Sequence, residues 1–262
     1  MSMTMTSMSM TLRNIIRIAR FNPHISVLSG TKPLVSDSFH PRLTWSRRGI
    51  PFAPAASFSS TVRHLNFSAD TMTSPATTPE EVLDFWFSLA PEEHYKTNPE
   101  LDEKIRAKFS QLHEQACAGQ LNSWKDGAES CLALTIVLDQ FSRNMFRGTG
   151  DMYGNDVSAL AIAKHAVDKD YHKCLPFSRA GFFFLPFMHS EELNDQHQCV
   201  QLYRDVCDSE GTPSAASFGL EYAIKHRDIV ERFGKFPHRN ALLGRESTSE
   251  EVEFLTQPGS SF

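Results

Sequence analysis

The sequence predicts an all-α fold, and three observations lead to that prediction. From about residue 78 onwards, apolar residues recur at intervals of three and four, which is the period of an α-helix. No segment alternates apolar and polar residues with period two over a useful length. Residues that cap helices precede most of the periodic stretches. We therefore expect seven or eight helices of roughly 10–20 residues, joined by short loops and stacked as antiparallel hairpins.

The first three helices are predicted from their start and stop signals. Thr78-Pro79-Glu80-Glu81 has the residues of a capping box, with proline at the first helical position. Asn98-Pro99 starts a second helix, which Gly119 ends, and a third runs from about Glu129 to Gly148. The positions predicted to be buried in these helices are Val82, Phe85, Trp86, Leu89, Leu101, Ile105, Phe109, Leu112, Leu134, Leu138, Phe141 and Met145.

The fifth helix, from about Ser178 to Met188, is apolar on all sides, which predicts that it is buried in the middle of the fold. Pro186 should kink or end it, because proline lacks the N–H that a helix interior needs. The fourth helix is predicted to start at Asn155 or Asp156, with Val157, Leu160, Ala163 and Val167 inward, and the sixth starts after Ser190. The seventh runs from Ala215 to Phe233 and is ended by Gly234. A short last helix follows Thr248, with Glu251 completing a capping box and Val252 and Leu255 inward.

Composition and charge predict a transit peptide and disordered leader at residues 1–71 and a single all-α domain at residues 72–262. Residues 1–70 hold eight Lys or Arg against two Asp, a net charge of +6, so the rest carries −11 within a total of −5. Three arginines lie on one face of a predicted helix at 11–21, with apolar residues on the other. This pattern is typical of a mitochondrial (or chloroplast) transit peptide and predicts the mitochondrial matrix. The alternatives are a tail with chance arginines and, for a start at Met72, a cytoplasmic form.

The composition of the domain argues against several classes of function. An acidic domain does not suit general nucleic-acid binding, which needs a basic surface. No stretch approaches the ~20 uncharged apolar residues of a membrane span. The five cysteines form no CxxC pair and are interpreted as reduced thiols on apolar helix faces. No cofactor is predicted, because GTGDMYG at 148–154 lacks the lysine and the preceding strand of a phosphate loop. The sequence carries no signal for the oligomeric state.

Five motifs resemble a known family. DFWF at 84–87, LDQFSRNMFRGT at 138–149, LPFMHSEEL at 185–193, HRDIVERFGKFPHRNALLGR at 226–245 and STSEE at 247–251 are similar to the domain of unknown function 924, over about residues 80–256. That family is placed with tetratricopeptide-like helical proteins, so the resemblance implies tetratricopeptide-like hairpins. It implies no reaction and no catalytic residues, because the activity of the family is not established. The leader departs from the pattern of most bacterial relatives.

The third helix carries a polar stripe beside its apolar one. Asp139, Arg143 and Arg147 are spaced four residues apart, as are Gln140 and Asn144. Residues at this spacing lie on the same side of a helix. One interpretation of the stripe is a solvated helix face. The two amides beside two arginines favour the other interpretation, a hydrogen-bonding surface within a binding site.

The stretch Lys225–Arg245 reverses the acidic charge of the domain, with six Lys or Arg and two His against two acids. His226 lies on the apolar face of the seventh helix, where a histidine is more often a satisfied core residue than a ligand. Asp228 and Arg232 are again four residues apart. The following loop, 236–240, adds three residues that donate or accept hydrogen bonds, and arginine binds carboxylate or phosphate as a fork.

Two hypotheses for the function follow. The first is a pocket that binds an anionic small molecule or peptide, with candidate ligand-binding residues Gln140, Arg143, Asn144, Arg147, Arg232, Arg239, Asn240 and Arg245. Within it, the structural alternative is a buried ion-pair network that only stabilises the fold. The second is an enzyme of the hydrolase or proton-transfer type, with candidate catalytic residues His189, His226, His238, Asp139 and Asp228.

In the enzyme hypothesis, a histidine is the general acid or base, an aspartate orients it, and arginine stabilises the developing anion. The possible ligands of a metal site are His189, Glu191, His226 and His238. No pair of these residues has the HExxH-type spacing that holds zinc on one helix. The sequence therefore predicts no metal.

Overall fold

The computed structural model describes residues 77–210 and 215–262. Within these residues the chain forms α-helices, 3-10 turns and one π turn, and no β-strand. The predicted all-α fold class is therefore confirmed. The predicted transit helix, the leader and a start at Met72 lie outside the described residues and stay predictions.

The helices of the described residues are α1 (Pro79–Phe87), α2 (Pro99–Cys117), α3 (Ala128–Ile136), α4 (Ser142–Met145), α5 (Asp156–Asp168), α6 (Phe177–Ala180), α7 (Leu185–His189), α8 (Leu193–Glu210), α9 (Ala215–Phe233) and α10 (Ser249–Leu255). The π turn Val137–Phe141 joins α3 and α4 into one helical stretch. The 3-10 turn Gly181–Phe183 lies between α6 and α7 in the same way. Counted as stretches, the described residues hold eight helices, as predicted.

Three of the predicted helix starts are present with their capping hydrogen bonds, whereas Asn155 before α5 makes no such bond from its side chain. Thr78 Oγ1 accepts from the Glu81 backbone N–H at 3.3 Å, and the Glu81 carboxylate accepts from the Thr78 N–H at 3.3 Å. The same reciprocal pair joins Thr248 and Glu251 at the start of α10. Asn98 Oδ1 caps α2. A cap of this kind stabilises a helix by about 1 kcal/mol, so these positions fix where the helices begin.

The core consists of aromatic and aliphatic side chains between pairs of packed helices. α1 packs on α3, α2 packs on α4 and the π turn, and α5 packs on α3 and α7. α8 and α9 are separated by four residues and pack along one another, which makes them an antiparallel hairpin. Gly219 permits this approach, because a Cβ at that position would lie 2.2 Å from the Tyr203 ring.

Some buried positions were predicted wrongly. Val157 is 82% exposed, because α5 packs through Ala159, Ala163 and other small residues further along the helix, and Val157 lies in its first turn. Val252 and Leu255 in α10, both predicted to lie inward, are also exposed. Pro186 does not end a helix. It lies in the first turn of α7, where no N–H is needed, and the break falls in the 3-10 turn before it.

The five cysteines are free thiols, of which Cys131 and Cys199 are buried as predicted. Cys117 and Cys174 are exposed, so the prediction of apolar surroundings is wrong for these two. Among the described helices, none has the length and the apolar character that crossing a membrane requires.

Candidate functional site

Asp139 is the most buried acid of the candidate site, with 1% of its surface exposed. It lies in the π turn, and π turns occur frequently at functional sites because they interrupt the regular helix. Its Oδ1 accepts from His189 Nδ1 at 2.8 Å and forms an ion pair with Arg143 Nη1 at 3.0 Å, and that nitrogen donates to the Asp139 backbone carbonyl at 3.1 Å. Its Oδ2 accepts from the Gln140 amide. The π turn therefore brings an acid, an arginine and a histidine together around one carboxylate.

Asp156, the first residue of α5, joins this group to the C-terminal part of the chain. Its Oδ1 accepts from Arg143 Nη1 at 2.9 Å, and its Oδ2 accepts from Arg239 Nη1 at 3.1 Å. Arg239 Nη2 donates to the backbone carbonyl of His189 at 3.0 Å. Two arginines that are far apart in sequence thus share one carboxylate. We name the group Asp139, Arg143, Asp156, His189 and Arg239 the arginine centre.

Tyr153 forms an aromatic face against the arginine centre. The Arg239 guanidinium carbon lies 4.5 Å from the centres of the Tyr153 and Phe236 rings, and that of Arg143 lies 5.9 Å from Tyr153. Stacking of this kind holds a guanidinium in one plane. The Tyr153 turn lies close to the C-terminal loop, because a Cβ on Gly150 would lie only 2.8 Å from the Leu242 carbonyl oxygen.

Several nitrogen atoms in and beside the arginine centre are buried without a hydrogen-bond partner. They include Arg143 Nη2, Arg239 Nε, His238 Nδ1 and Arg245 Nε. Single atoms of this kind in the described residues also occur away from the centre, at Trp86, His172 and Gln196. A buried donor without a partner costs about 1–3 kcal/mol, so proteins rarely leave several in one place without water or a ligand.

The electrostatics keep Asp139 ionised and His189 neutral near neutral pH. Burial by itself raises the pKa of Asp139, but the Arg143 charge and the His189 hydrogen bond outweigh it and hold that pKa below its ordinary value. Burial lowers the pKa of His189, and Arg143 lowers it further, against the opposing effect of Asp139. The carboxylate accepts the hydrogen bond, so His189 carries its proton on Nδ1.

The other two candidate histidines differ from His189. His226 is buried, donates Nδ1–H to the Tyr222 carbonyl at 2.8 Å, and stacks on Phe262 with 3.8 Å between ring centres. Burial lowers its pKa to about 3, so it is a satisfied core residue, as the sequence favoured. Burial and the neighbouring Arg239 lower the pKa of His238 to about 4.

Arg147 and Asn144 do not join the arginine centre. Arg147 donates from Nε and Nη2 to the two oxygens of Asp102 at 2.7 and 3.0 Å, and Asn144 donates to Asp102 Oδ1 at 2.8 Å. The expectation that Arg147 continues the stripe is wrong, because α4 ends at Met145 and Arg147 lies beyond the regular helix. We name Asp102, Asn144 and Arg147 the Asp102 cluster.

The remaining candidates stabilise the C-terminal loop or lie on the surface. Arg245 forms a fork with Glu191 at 2.7 and 2.9 Å, and Glu191 also accepts from the Phe236 N–H. Asn240 donates to Glu251 and Ser247. Asp228 pairs with Arg227, and Arg232 pairs with Glu250, all in partly or fully exposed positions.

Two residues of the site, Asp156 and Tyr153, are not among the candidates that the sequence predicts. The sequence predicts Asp156 only as a helix start, where the helix dipole stabilises an acid, and this signal does not indicate an arginine partner. Tyr153 lies in GTGDMYG, a stretch whose sequence bears only on the question of a phosphate loop. In the described residues, no group of three possible metal ligands comes together. An open surface depression lies at the start of α2, lined by Pro99, Glu100, Glu103, Lys104 and Ala107, apart from the arginine centre.

The sequence matches the model of the family described as "Bacterial protein of unknown function (DUF924)" over residues 82–259. This chain belongs to that family. It is also similar to the solved structure of a protein of unknown function from Agrobacterium tumefaciens. The two sequences are 37% identical, the match covers 68% of this chain and 96% of the other, and the TM-score is 0.61. No curated protein matches the chain. Family membership supports the fold and assigns no reaction.

Proposed function

We propose that this protein binds the carboxylate or phosphate group of an anionic small molecule or peptide at the arginine centre. One observation carries the proposal: Arg143 and Arg239 share Asp156, yet Arg143 Nη2 and Arg239 Nε are buried and have no partner. An oxyanion accepts several such donors at once, and arginine presents them as a fork. A ligand of this class would therefore satisfy the donors that the protein itself leaves unpaired.

The purely structural alternative explains this arrangement less well. An arginine that only stabilises a fold can pair its N–H groups with protein acceptors, as Arg147 does with both oxygens of Asp102. At the arginine centre, Arg143 Nη1 instead contacts oxygens of both Asp139 and Asp156. Its Nη2 is left buried and unpaired. Buried donors without partners lower the stability of the folded protein, so a purely structural role does not explain them.

A second candidate function is an enzyme that transfers a proton in hydrolysis or isomerisation. The specific observation is the 2.8 Å hydrogen bond between His189 Nδ1 and Asp139 Oδ1. A carboxylate that fixes Nδ1–H leaves Nε2 as a general base, and arginines beside it stabilise a developing anion. His189 is 17% exposed at its side chain, so a substrate group can approach it.

Titration of the full chain with sulfate by calorimetry tests the binding proposal. Sulfate is a rigid oxyanion whose charge is constant near neutral pH. We expect Arg143→Lys and Arg239→Lys to lose about tenfold or more in affinity, because lysine keeps the charge but loses the fork. Arg147→Lys is the matched control and should bind as the wild type does. Absence of sulfate binding, or equal losses in all three variants, would overturn the proposal.

We propose in addition that the leader directs the protein to the mitochondrial matrix. The support is the +6 charge of residues 1–70 and the three arginines on one face of the predicted helix at 11–21. Replacement of Arg13, Arg17 and Arg20 by Gln should leave a fluorescent fusion of the full chain in the cytoplasm. Unchanged import of that variant would contradict the proposal.

A further inference from the structure

The arginine centre is electrically balanced before any ligand binds. Its two positive charges, on Arg143 and Arg239, face the two negative charges of Asp139 and Asp156 through direct contacts. His189 completes the centre as a neutral imidazole. An arriving oxyanion therefore brings an uncompensated negative charge into a largely buried site, and buried charge without compensation is costly.

His189 is the group best placed to compensate that charge. It shares the Asp139 Oδ1 atom with Arg143, and its backbone carbonyl accepts from Arg239. Its Nδ1 already holds a proton toward Asp139, so a second proton adds to Nε2. The carboxylate of Asp195, on α8, forms an ion pair with Lys164 and accepts a hydrogen bond from Ser190, so it is already occupied by partners other than His189. The charged and titratable groups that act on or beside His189 are Asp139 and Arg143 from the helical stretch, Asp156 from α5, His226 from α9, and His238 and Arg239 from the loop.

We propose that oxyanion binding at the arginine centre is coupled to the uptake of one proton by His189 Nε2. This inference rests on the proposed function. The proton comes from the bulk buffer, no other bond forms or breaks in the protein, and the imidazolium offsets one negative charge of the bound anion. Asp139 favours the imidazolium because its carboxylate already accepts Nδ1–H. The ligand class is therefore an oxyanion held next to a cationic histidine.

The direction of the pH dependence follows from the charges. In the free protein, burial and then Arg143 keep the pKa of His189 below 6.5, so the imidazole is neutral at pH 7. A bound anion offsets the effect of the arginines and raises that pKa. The anion then binds the protonated form more tightly, so its affinity rises as the pH falls from the bound pKa to the free pKa.

The test is calorimetric titration of the full chain with sulfate at about pH 8, 7 and 6, each in two buffers of different ionisation enthalpy. We expect affinity to rise as the pH falls, by at most about tenfold for each unit, with the uptake of at most about one proton per sulfate. His189→Asn keeps an amide N–H for Asp139 but cannot take up a proton. This variant should bind sulfate without pH dependence and without proton uptake.

Exposed His197 provides the control, and His197→Asn should keep the full dependence on pH. If the wild type binds no sulfate at any pH, the proposed function fails. If sulfate binds with equal affinity at each pH, or if His189→Asn keeps the slope, this inference alone is overturned. If His189→Asn does not fold, ¹⁵N spectra of the wild-type imidazoles decide: sulfate must convert His189 from the neutral to the cationic pattern, and an unchanged pattern contradicts the proposal.

Discussion

Arg143 and Arg147 lie four residues apart, and the structure uses them in opposite ways. Arg147 forms a complete fork with Asp102, to which Asn144 adds a third hydrogen bond. Arg143 Nη1 contacts two carboxylates, and Arg143 Nη2 is buried without a hydrogen-bond partner. Both groups tie separate parts of the chain together. In the first group no buried side-chain atom lacks a partner among the described residues, and we call such a group saturated; the second group holds buried atoms without a partner.

This difference shows how a structural ion pair is told from a binding site. In a saturated pair, the desolvation of both charges is offset within the protein, so the pair can exist for stability alone. An unsaturated pair keeps buried donors without a partner, which destabilises the folded protein. A ligand that accepts hydrogen bonds from these donors removes that cost, which adds to its binding free energy. Replacing residues in the Asp102 cluster should therefore change stability, and replacing residues in the arginine centre should change affinity.

The largest effect is expected for Arg147→Ala. Asp102 is 7% exposed, so its carboxylate would remain buried with only Asn144 as a side-chain donor. We expect a loss of about 2–4 kcal/mol in the free energy of unfolding, measured by urea denaturation. Removing one partner of a buried ion pair leaves the charge of the other partner buried without compensation. Sulfate affinity of the folded variant should stay at the wild-type value. A variant that keeps its stability but loses sulfate binding would reverse the assignment of the two groups.

Gly150→Ala tests whether the arginine centre depends on the close approach of two loops. A Cβ there would lie 2.8 Å from the Leu242 carbonyl oxygen, so the turn that carries Tyr153 must move away from the C-terminal loop. We expect a loss of about 1–3 kcal/mol in stability, as for other overpacked positions, together with weaker sulfate binding. Unchanged affinity would show that Tyr153 and Arg239 do not act together.

Acid denaturation tests the buried histidine beside the arginine centre. Burial lowers the pKa of His226 to about 3, so the folded state excludes a proton that the unfolded chain takes up below about pH 6.5. Stability from this group is present above pH 6.5 and is lost as the pH falls toward 3. His226→Phe should reduce the slope of unfolding free energy against pH by about 1.4 kcal/mol per unit near pH 5. An unchanged slope means that His226 is charged in the folded protein.

The smallest effect is expected at the surface. Arg232 pairs with Glu250, and both side chains are about half exposed or more. Arg232→Ala should cost less than about 1 kcal/mol and leave sulfate affinity unaltered. Urea denaturation and calorimetry on the same sample provide both values. A loss of affinity here would return Arg232 to the set of ligand-binding residues.

The sequence predicted the helices well because their signals are local. The capping residues Thr78, Asn98 and Thr248 act on neighbours within three positions, so their effect is visible in the sequence. Asp139 and His189 were both predicted as candidate catalytic residues, but the π turn that brings them into contact has no clear signal in the sequence. The tetratricopeptide-like arrangement stays a prediction.

Other parts of the site depend on contacts between distant segments. Asp156 and Arg239 meet only because α5 and the C-terminal loop are both folded, and nothing near Asp156 in the sequence indicates an arginine partner. The spacing rule failed for Arg147 because it assumes a helix that continues, and the helix ends two residues earlier. Local patterns thus identified the residue types of the site, and tertiary packing decided which of them belong to it.

The unpaired Nε–H of Arg239 offers the most direct test of the central claim. In a ¹H–¹⁵N spectrum of arginine Nε–H groups, assigned with Arg239→Lys and Arg147→Lys, sulfate should shift the Arg239 signal, because its N–H gains a partner. The Arg147 signal should stay in place, since its N–H is already bonded to Asp102 at 2.7 Å. An Arg239 signal that does not move at saturating sulfate would contradict the account.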